Sequence, residues 1–250
     1  MKVSIYNDCW VPNKQPHFGC ELVMETFKEQ LERTGHEFVG SVKLTDIKNR
    51  EPLDKSDLVI VNGEGSFHHN RRNDILEIGK NYNAILINTV YQENTCNGLL
   101  KNFRYISTRE SFSRDAMLKE NPNQGLNVQV IPDVIFTNKR LNEFVPTRTK
   151  DYGHIRHFIN SNESDMIKTL QHADTFLPLM GDYKTISTVS YHSIIIAYMF
   201  GIGIREVISS NTHKNESIVH DCKKFGGIDK YIEKSQTVIN NLFDNLEKFA

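Results

Sequence analysis

Glu64 stands between two glycines in the stretch Asp-Leu-Val-Ile-Val-Asn-Gly-Glu-Gly-Ser-Phe-His-His, residues 57–69, directly after an apolar run. A carboxylate placed there can accept the proton of a hydroxyl as that oxygen forms a new bond, the task of a general base. Gly63 and Gly65 permit positive φ and let a ligand approach bare backbone. His68, and Asp8 at the end of the first apolar stretch, are rival bases. Asn7, His17, Ser66, Arg71 and Arg72, together with the two glycines, form a candidate binding set for an acceptor. The plain alternative is a tight turn that Glu64 braces through backbone amides, with Ser66 capping the helix that follows.

A second set lies further along. Ser190-Tyr191-His192 precedes an apolar stretch, 194–200, that reads as a helix ended by Gly201 and Gly203. Free amides at a helix start suit a phosphate, and His192 can donate to one or serve as acid–base. The competing reading is a partly buried histidine satisfied by backbone. Lys214, closing Asn-Thr-His-Lys from Asn211, adds a cation for an anionic donor. Arg109 opens another helix within Ser107-Thr108-Arg109-Glu110-Ser111, where a guanidinium suits a phosphate or carboxylate. Glu110 fits equally a site role and a place at the positive end of that helix, with Ser107 or Thr108 as its cap. Ser190, Tyr191, His192, Asn211, Lys214 and Arg109 are therefore the candidate donor contacts.

These residues need elements to carry them. Residues 58–61 form an unbroken apolar run, the pattern of a strand buried on both faces in a parallel sheet. The spacing predicts strands at 2–6, 37–42, 57–62, 84–90, 103–107 and 128–131. Helices are predicted at 19–34, at 74–82 and from the 108–111 segment to 119. The turn at 62–65 ends the central strand, and a helix-capable stretch begins near 71. After a polar stretch, strands are expected at 154–159, 175–179 and 205–209, and helices at 163–171, after His192 and at 228–249. Alternating strands and helices mean an α/β fold with parallel sheets. The division predicted is 1–137 as an N-terminal, acceptor-side domain, 138–152 as a linker, and 153–250 as a C-terminal, donor-side domain. Polar groups at strand carboxyl ends then share one edge of each sheet. Two such edges facing each other would form a cleft.

Composition narrows the partners. Lys plus Arg is 30 and Asp plus Glu is 31, a net charge of −1, so no global field attracts nucleic acid or membrane. Hydrophobic content of 38% supports a folded core. The N-terminus enters an apolar alternation with no signal-peptide core, and the longest apolar run, 194–200, is far too short to span a bilayer. The four cysteines are scattered, which argues against a zinc cluster or a disulfide framework. The expectation is a cytoplasmic protein of a bacterial or phage-infected cell, without tightly bound cofactor. A divalent cation arriving with the donor remains compatible.

In order, the loop with Phe18-Gly19, residues 57–65, Ser107 to Ser111, Pro132-Asp133 and the stretch from Tyr191-His192 to Gly201 together resemble the polysaccharide pyruvyl transferase family. Asn211 and Lys214 follow where that family carries an Asn-x-x-Lys-like signature. The resemblance covers most of the chain. It implies two Rossmann-like domains in a GT-B-type arrangement, a terminal helix returning to the first domain, and transfer of pyruvyl from phosphoenolpyruvate to a sugar hydroxyl. One departure matters: the family usually places arginine directly before the aromatic-His pair, and Ser190 stands there instead.

Losing that cation weakens the case for phosphoenolpyruvate, whose phosphate and carboxylate both want positive partners. GT-B-like glycosyltransferases use the same fold with nucleotide-sugar donors. The expected activity is therefore glycosyl transfer from a nucleotide-sugar to a hydroxyl. The acceptor is a glycan or a hydroxymethylated DNA base, as small GT-B-like phage enzymes glycosylate such bases. Arg71, Arg72 and the basic residues of 137–152 are the groups available to phosphates of DNA, whose base would have to leave the stack. Pyruvyl transfer and a non-catalytic sugar- or nucleotide-binding module are the alternatives.

Overall fold

A computed structural model describes residues 1–12, 16–46, 48–156, 166–209 and 212–250. The chain divides into two compact units, and both are discontinuous in sequence. Unit 1 holds Met1–Cys9, Phe27–Asp133 and Ser235–Ala250; unit 2 holds Trp10–Thr26 and Val134–Lys234.

Unit 1 is built on β1 (Lys2–Asp8), α1 (Phe18–Arg33, shared with unit 2), β2 (Glu37–Lys43), α2 (Glu51–Asp54), β3 (Leu58–His68), α3 (Ile78–Asn81), β4 (Ala84–Gln92), β5 (Tyr105–Thr108), α4 (Ser111–Glu120) and β6 (Val128–Val130). Its six strands pair in parallel in the order β2-β1-β3-β4-β5-β6. The order reverses direction between β1 and β3, and ligands of doubly wound sheets sit at such a switch point, beyond the strand carboxyl ends. Val59, Val61 and Leu86 pack one face of the sheet with Phe67, Tyr91 and Met117. The segment Ser235–Ala250 completes the unit: Phe243 packs on Phe27 with ring centroids 6.2 Å apart, and Phe249 on Tyr105 at 4.8 Å.

The central strand departs from its sequence reading. The glycine segment does not end β3, which runs on to His68. Neither Gly63 nor Gly65 takes up positive φ; Glu64 itself does, at 32°. The register shifts between Glu64 and Phe67, then pairing with β4 resumes at Phe67↔Tyr91. Such a bulge bends a strand without ending it. Gly63 is there for proximity, since a Cβ on it would lie 2.2 Å from Thr89 Oγ1 of β4. The helix expected at 74–82 is a 3-10 turn, Asn73–Glu77, followed by the single turn of α3.

Unit 2 contains α5 (Lys139–Glu143), β7 (Lys150–Arg156), β8 (Met166–Lys168), α6 (Ala173–Gly181), β9 (Tyr183–Thr188), α7 (Tyr191–Phe200), β10 (Gly203–Val207), α8 (Lys214–Lys224) and the start of α9 (Ile228–Phe243). Its strands are again parallel, in the order β10-β9-β7-β8, with the reversal between β7 and β9.

Unit 2 also departs from its sequence reading. The stretch expected as a linker, 138–152, has structure: Asn138 caps α5 by accepting from Leu141 N at 3.0 Å, Leu141 is buried, and β7 starts at Lys150. The strand expected at 175–179 is helix α6, because Ala173, Phe176, Leu177 and Met180 are buried, a helical and not an alternating spacing. Of the helix expected at 163–171, residues 163–165 lie outside the described residues and 166–168 form β8, paired along β7. Residues 157–159 of the expected strand 154–159 also lie outside the described residues. The terminal helix stops at Phe243, and a 3-10 turn, Leu246–Phe249, follows it.

Candidate active site

In unit 1, Asn7 near the carboxyl end of β1, Glu64 at the bulge within β3 and Asn88 within β4 all have left-handed backbone (φ 67°, 32° and 55°). Left-handed conformations are costly for residues with a side chain, and such strain gathers at functional sites. The side chains form one network. Asn7 Nδ2 donates to the main-chain oxygen of Asn62 at 2.6 Å and to Ser66 Oγ at 3.0 Å. Asn62 Nδ2 donates to Glu64 Oε2 at 3.1 Å, and Asn88 Nδ2 donates to Asn62 Oδ1 at 3.1 Å. Glu64 is 6% exposed. Asn7 Oδ1 and Asn88 Oδ1 are buried with no hydrogen-bond partner among the described residues. A buried acceptor left unsatisfied costs about 1–3 kcal/mol.

The rival bases have other ties. Asp8 is buried, and its Oδ2 accepts from Ser41 Oγ at 2.6 Å and Lys43 Nζ at 2.5 Å. His68 is largely buried, with its ring perpendicular to that of His69 at 5.0 Å; His69 Nδ1 in turn lies 2.6 Å from Glu93 Oε2. Beside Glu64, burial and the carboxylate's charge raise the Cys9 thiol well above its ordinary range, so it stays protonated. Gly65 is exposed with open space where a Cβ would be, whereas Gly63 is buried against Thr89. Of the two glycines, Gly65 is the one that offers bare backbone to a ligand. Arg71 is exposed, and Arg72 Nε lies 3.3 Å from Asp74 Oδ1.

Arg109 is placed differently from expectation. Its guanidinium is 1% exposed, and Nη1 lies 2.9 Å from Asp133 Oδ2, itself fully buried. The anions it meets are internal carboxylates, Asp133 and, with Nε 3.9 Å from Oε2, Glu110. Glu110 holds the N-cap position of α4, in place of Ser107 or Thr108, without a side-chain cap hydrogen bond, and its carboxylate accepts from Ser113 Oγ.

In unit 2, His17 accepts at Nδ1 from the amides of Gly19 (3.2 Å) and Cys20 (3.4 Å), and so caps α1. His17 was expected among the acceptor contacts of the N-terminal domain; the chain from Trp10 to Thr26 groups instead with unit 2, beside His192. The His17 and His192 ring centroids are 6.1 Å apart at 65°, and Phe18 stacks on Phe176. Ser190 caps α7 by accepting from Ser193 N at 3.4 Å, with Tyr191 and His192 buried behind it. Lys214 is the first residue of α8 and partly exposed. Asn211 lies outside the described residues.

Three asparagines of these sites escaped the sequence reading as site residues. Asn62 and Asn88 sit inside apolar strand runs, where asparagine is disfavoured, and that was the available signal. Asn215 donates to the carbonyls of Val189 (2.9 Å) and Ile208 (3.3 Å), tying the turn before α7 to the end of β10. Among the described residues no three His, Cys, Asp or Glu side chains group as metal ligands, and no helix is long and apolar enough to cross a membrane.

The chain is similar in structure to a functionally uncharacterized protein of Klebsiella pneumoniae subsp. pneumoniae, with a TM-score of 0.60 at 14% identity, covering 88% of each chain. It is also similar to the UDP-GlcNAc 2-epimerase of Methanocaldococcus jannaschii, with a TM-score of 0.53 at 12% identity, covering 98% of this chain and 93% of the other. At such identities the likeness shows the fold, which is α/β with two parallel sheets of the GT-B-like class. No curated protein matches the sequence. The family model of polysaccharide pyruvyl transferases matches residues 17–203, and the chain belongs to that family of transferases.

Proposed function

We propose that the protein transfers a donor-borne group to a hydroxyl of a saccharide, with Glu64 as general base and a nucleotide-sugar as donor. The observation that carries this reading is the place of Glu64: a buried carboxylate at the bulge within β3, just past that strand's last pair with β1 (Tyr6↔Val61) at the β1/β3 switch point, held by Asn62. As the acceptor oxygen bonds to the donor carbon, Glu64 takes its proton, and the bond from that carbon to the phosphate oxygen breaks. Within unit 2, the amides at the start of α7, with His192 and Lys214, suit the anionic part of a donor.

The choice of donor rests on position 190. Ser190 is a neutral, buried helix cap, so no cation stands directly before Tyr191-His192. A nucleotide diphosphate needs that cation less than phosphoenolpyruvate does, because the latter presents phosphate and carboxylate together. Pyruvyl transfer from phosphoenolpyruvate is the second reading, favoured by the family match over residues 17–203.

The deciding experiment is mass spectrometry of acceptors after incubation with UDP-glucose, UDP-GlcNAc or phosphoenolpyruvate. Oligosaccharides and a hydroxymethylated DNA oligonucleotide serve as acceptors. A glycosyl increment on a saccharide supports the first reading and a pyruvyl increment the second. No increment with any donor, but measurable calorimetric binding of one, would make the protein a binding module.

A further inference from the structure

We propose that Asn62 and Asn88 are positioning residues that hold the Glu64 carboxylate through a hydrogen-bond chain able to run in one direction only. This rests on the reading of Glu64 as the base. A carboxylate has acceptors and no donor, so it requires the nitrogen of the Asn62 carboxamide. Asn62 Nδ2 does face Glu64 Oε2 at 3.1 Å. The Asn62 oxygen then points the other way and requires a donor, which Asn88 Nδ2 supplies at 3.1 Å. Each carboxamide is thereby locked against its flipped form. The cost of that polarity falls at the far end, where Asn88 Oδ1 is buried with no partner among the described residues.

Two further observations make Asn62 the hub. Asn7, on the other neighbouring strand, donates to the Asn62 main-chain oxygen at 2.6 Å, so β1 fixes the backbone that β4 fixes through the side chain. The residues at the two outer ends of the chain, Glu64 within β3 and Asn88 within β4, both have left-handed backbone. Asparagine tolerates that backbone better than most residues, so position 88 combines a conformational and a hydrogen-bonding requirement.

The direction of the chain gives a test that needs no substrate. Asn88→Asp keeps shape and tolerance of left-handed backbone but replaces the donor with an acceptor. With its nitrogen held by Glu64, Asn62 would then present its oxygen to the new carboxylate, acceptor against acceptor, and the melting temperature of the full chain should fall by roughly 3–10 °C. Adding Glu64→Gln should restore most of that loss. The new side-chain amide at position 64 can donate to the Asn62 oxygen while Asn62 donates to the new carboxylate at position 88, and the whole chain runs in reverse.

Simple repulsion between two carboxylates would also be relieved by Glu64→Gln, so the cycle is repeated with Asn62→Ala. Loss of the coupling between positions 64 and 88 in that background supports the relay; undiminished coupling overturns it. If Asn62→Ala does not fold, the side-chain amide resonances of 15N-labelled protein take its place. The Asn62 pair should move between wild type and the Glu64→Gln/Asn88→Asp double variant, and an unmoved pair overturns the proposal. These readouts stand apart from turnover, so a Glu64→Gln enzyme of normal activity would remove the base and leave the relay judged on its own.

Discussion

A Cβ placed on Gly19 would lie 2.0 Å from Nδ1 of His192, so the ring occupies the space that any other residue at position 19 would fill. The second residue of α1 and the second of α7 are matched to each other across unit 2. Gly19→Ala should therefore displace His192 without touching it chemically. Calorimetry with a UDP-sugar is expected to show donor affinity falling as far in Gly19→Ala as in His192→Ala, with no further loss in the double variant. Unchanged affinity in both would take this corner of unit 2 out of the donor site.

Glu64→Gln retains shape and hydrogen bonding and removes the base. Turnover is expected to fall by roughly 10²–10⁴-fold with donor affinity little changed. Single-turnover mass spectrometry of the acceptor measures the first quantity and calorimetry the second. Near-normal turnover would pass the role to His68, since Asp8 is already held by Lys43 and Ser41.

The Arg109–Asp133 pair is a matter of stability. Removing one partner of a buried ion pair costs about 3–5 kcal/mol, and less where a second counter-charge stays, as Glu110 does 3.9 Å from Arg109 when Asp133 is removed. Arg109→Met and Asp133→Asn should each lose stability on that scale in chemical denaturation. Donor affinity of whatever remains folded should be unaltered; a selective loss of affinity at full stability would return Arg109 to the donor site.

Alkaline pH should expose a second stability effect. Burial pushes the Cys96 thiol up to about 11 from an ordinary 9.0, near the Tyr91 hydroxyl at 3.2 Å. A group whose folded value is raised contributes stability that is fully present below its unfolded value and is lost as pH rises through the folded one. Stability should thus decline between about pH 9 and pH 11. The decline should be shallower in Cys96→Ala, measured as urea midpoints across that range. An identical slope in the variant would discount the thiol.

Much of the frame was legible because apolar runs report burial directly. Residues 58–61 read as a doubly buried strand and are one, and the strand–helix alternation led to parallel sheets. What escaped notice depended on partners distant in sequence. The need for glycine at position 63 comes from Thr89 on β4, and the burial of Arg109 goes with its pairing to Asp133. Helix α6 was mistaken because Phe176 and Leu177 are adjacent and apolar, while the spacing that decides the matter needs Ala173 and Met180 as well. Strand β9 is mostly polar (Tyr-Lys-Thr-Ile-Ser-Thr) and gives little signal, since it is its pairing with β7 that makes it a strand. The glycines flanking Glu64 are visible in the sequence, but its hydrogen bond to Asn62 and the link on to Asn88 are visible only in three dimensions.

Because unit 1 includes Ser235–Ala250, its strands are all synthesised long before its last packing surface exists. Tyr105 and Phe27 wait for Phe249 and Phe243 while the whole of unit 2 leaves the ribosome. Domains usually mature from the amino end during translation. Here the amino-terminal sheet would remain an unfinished nascent structure until translation has passed residues 235–250. A fragment ending at Asp133 should accordingly stay open to protease and chaperone, however complete its six strands look.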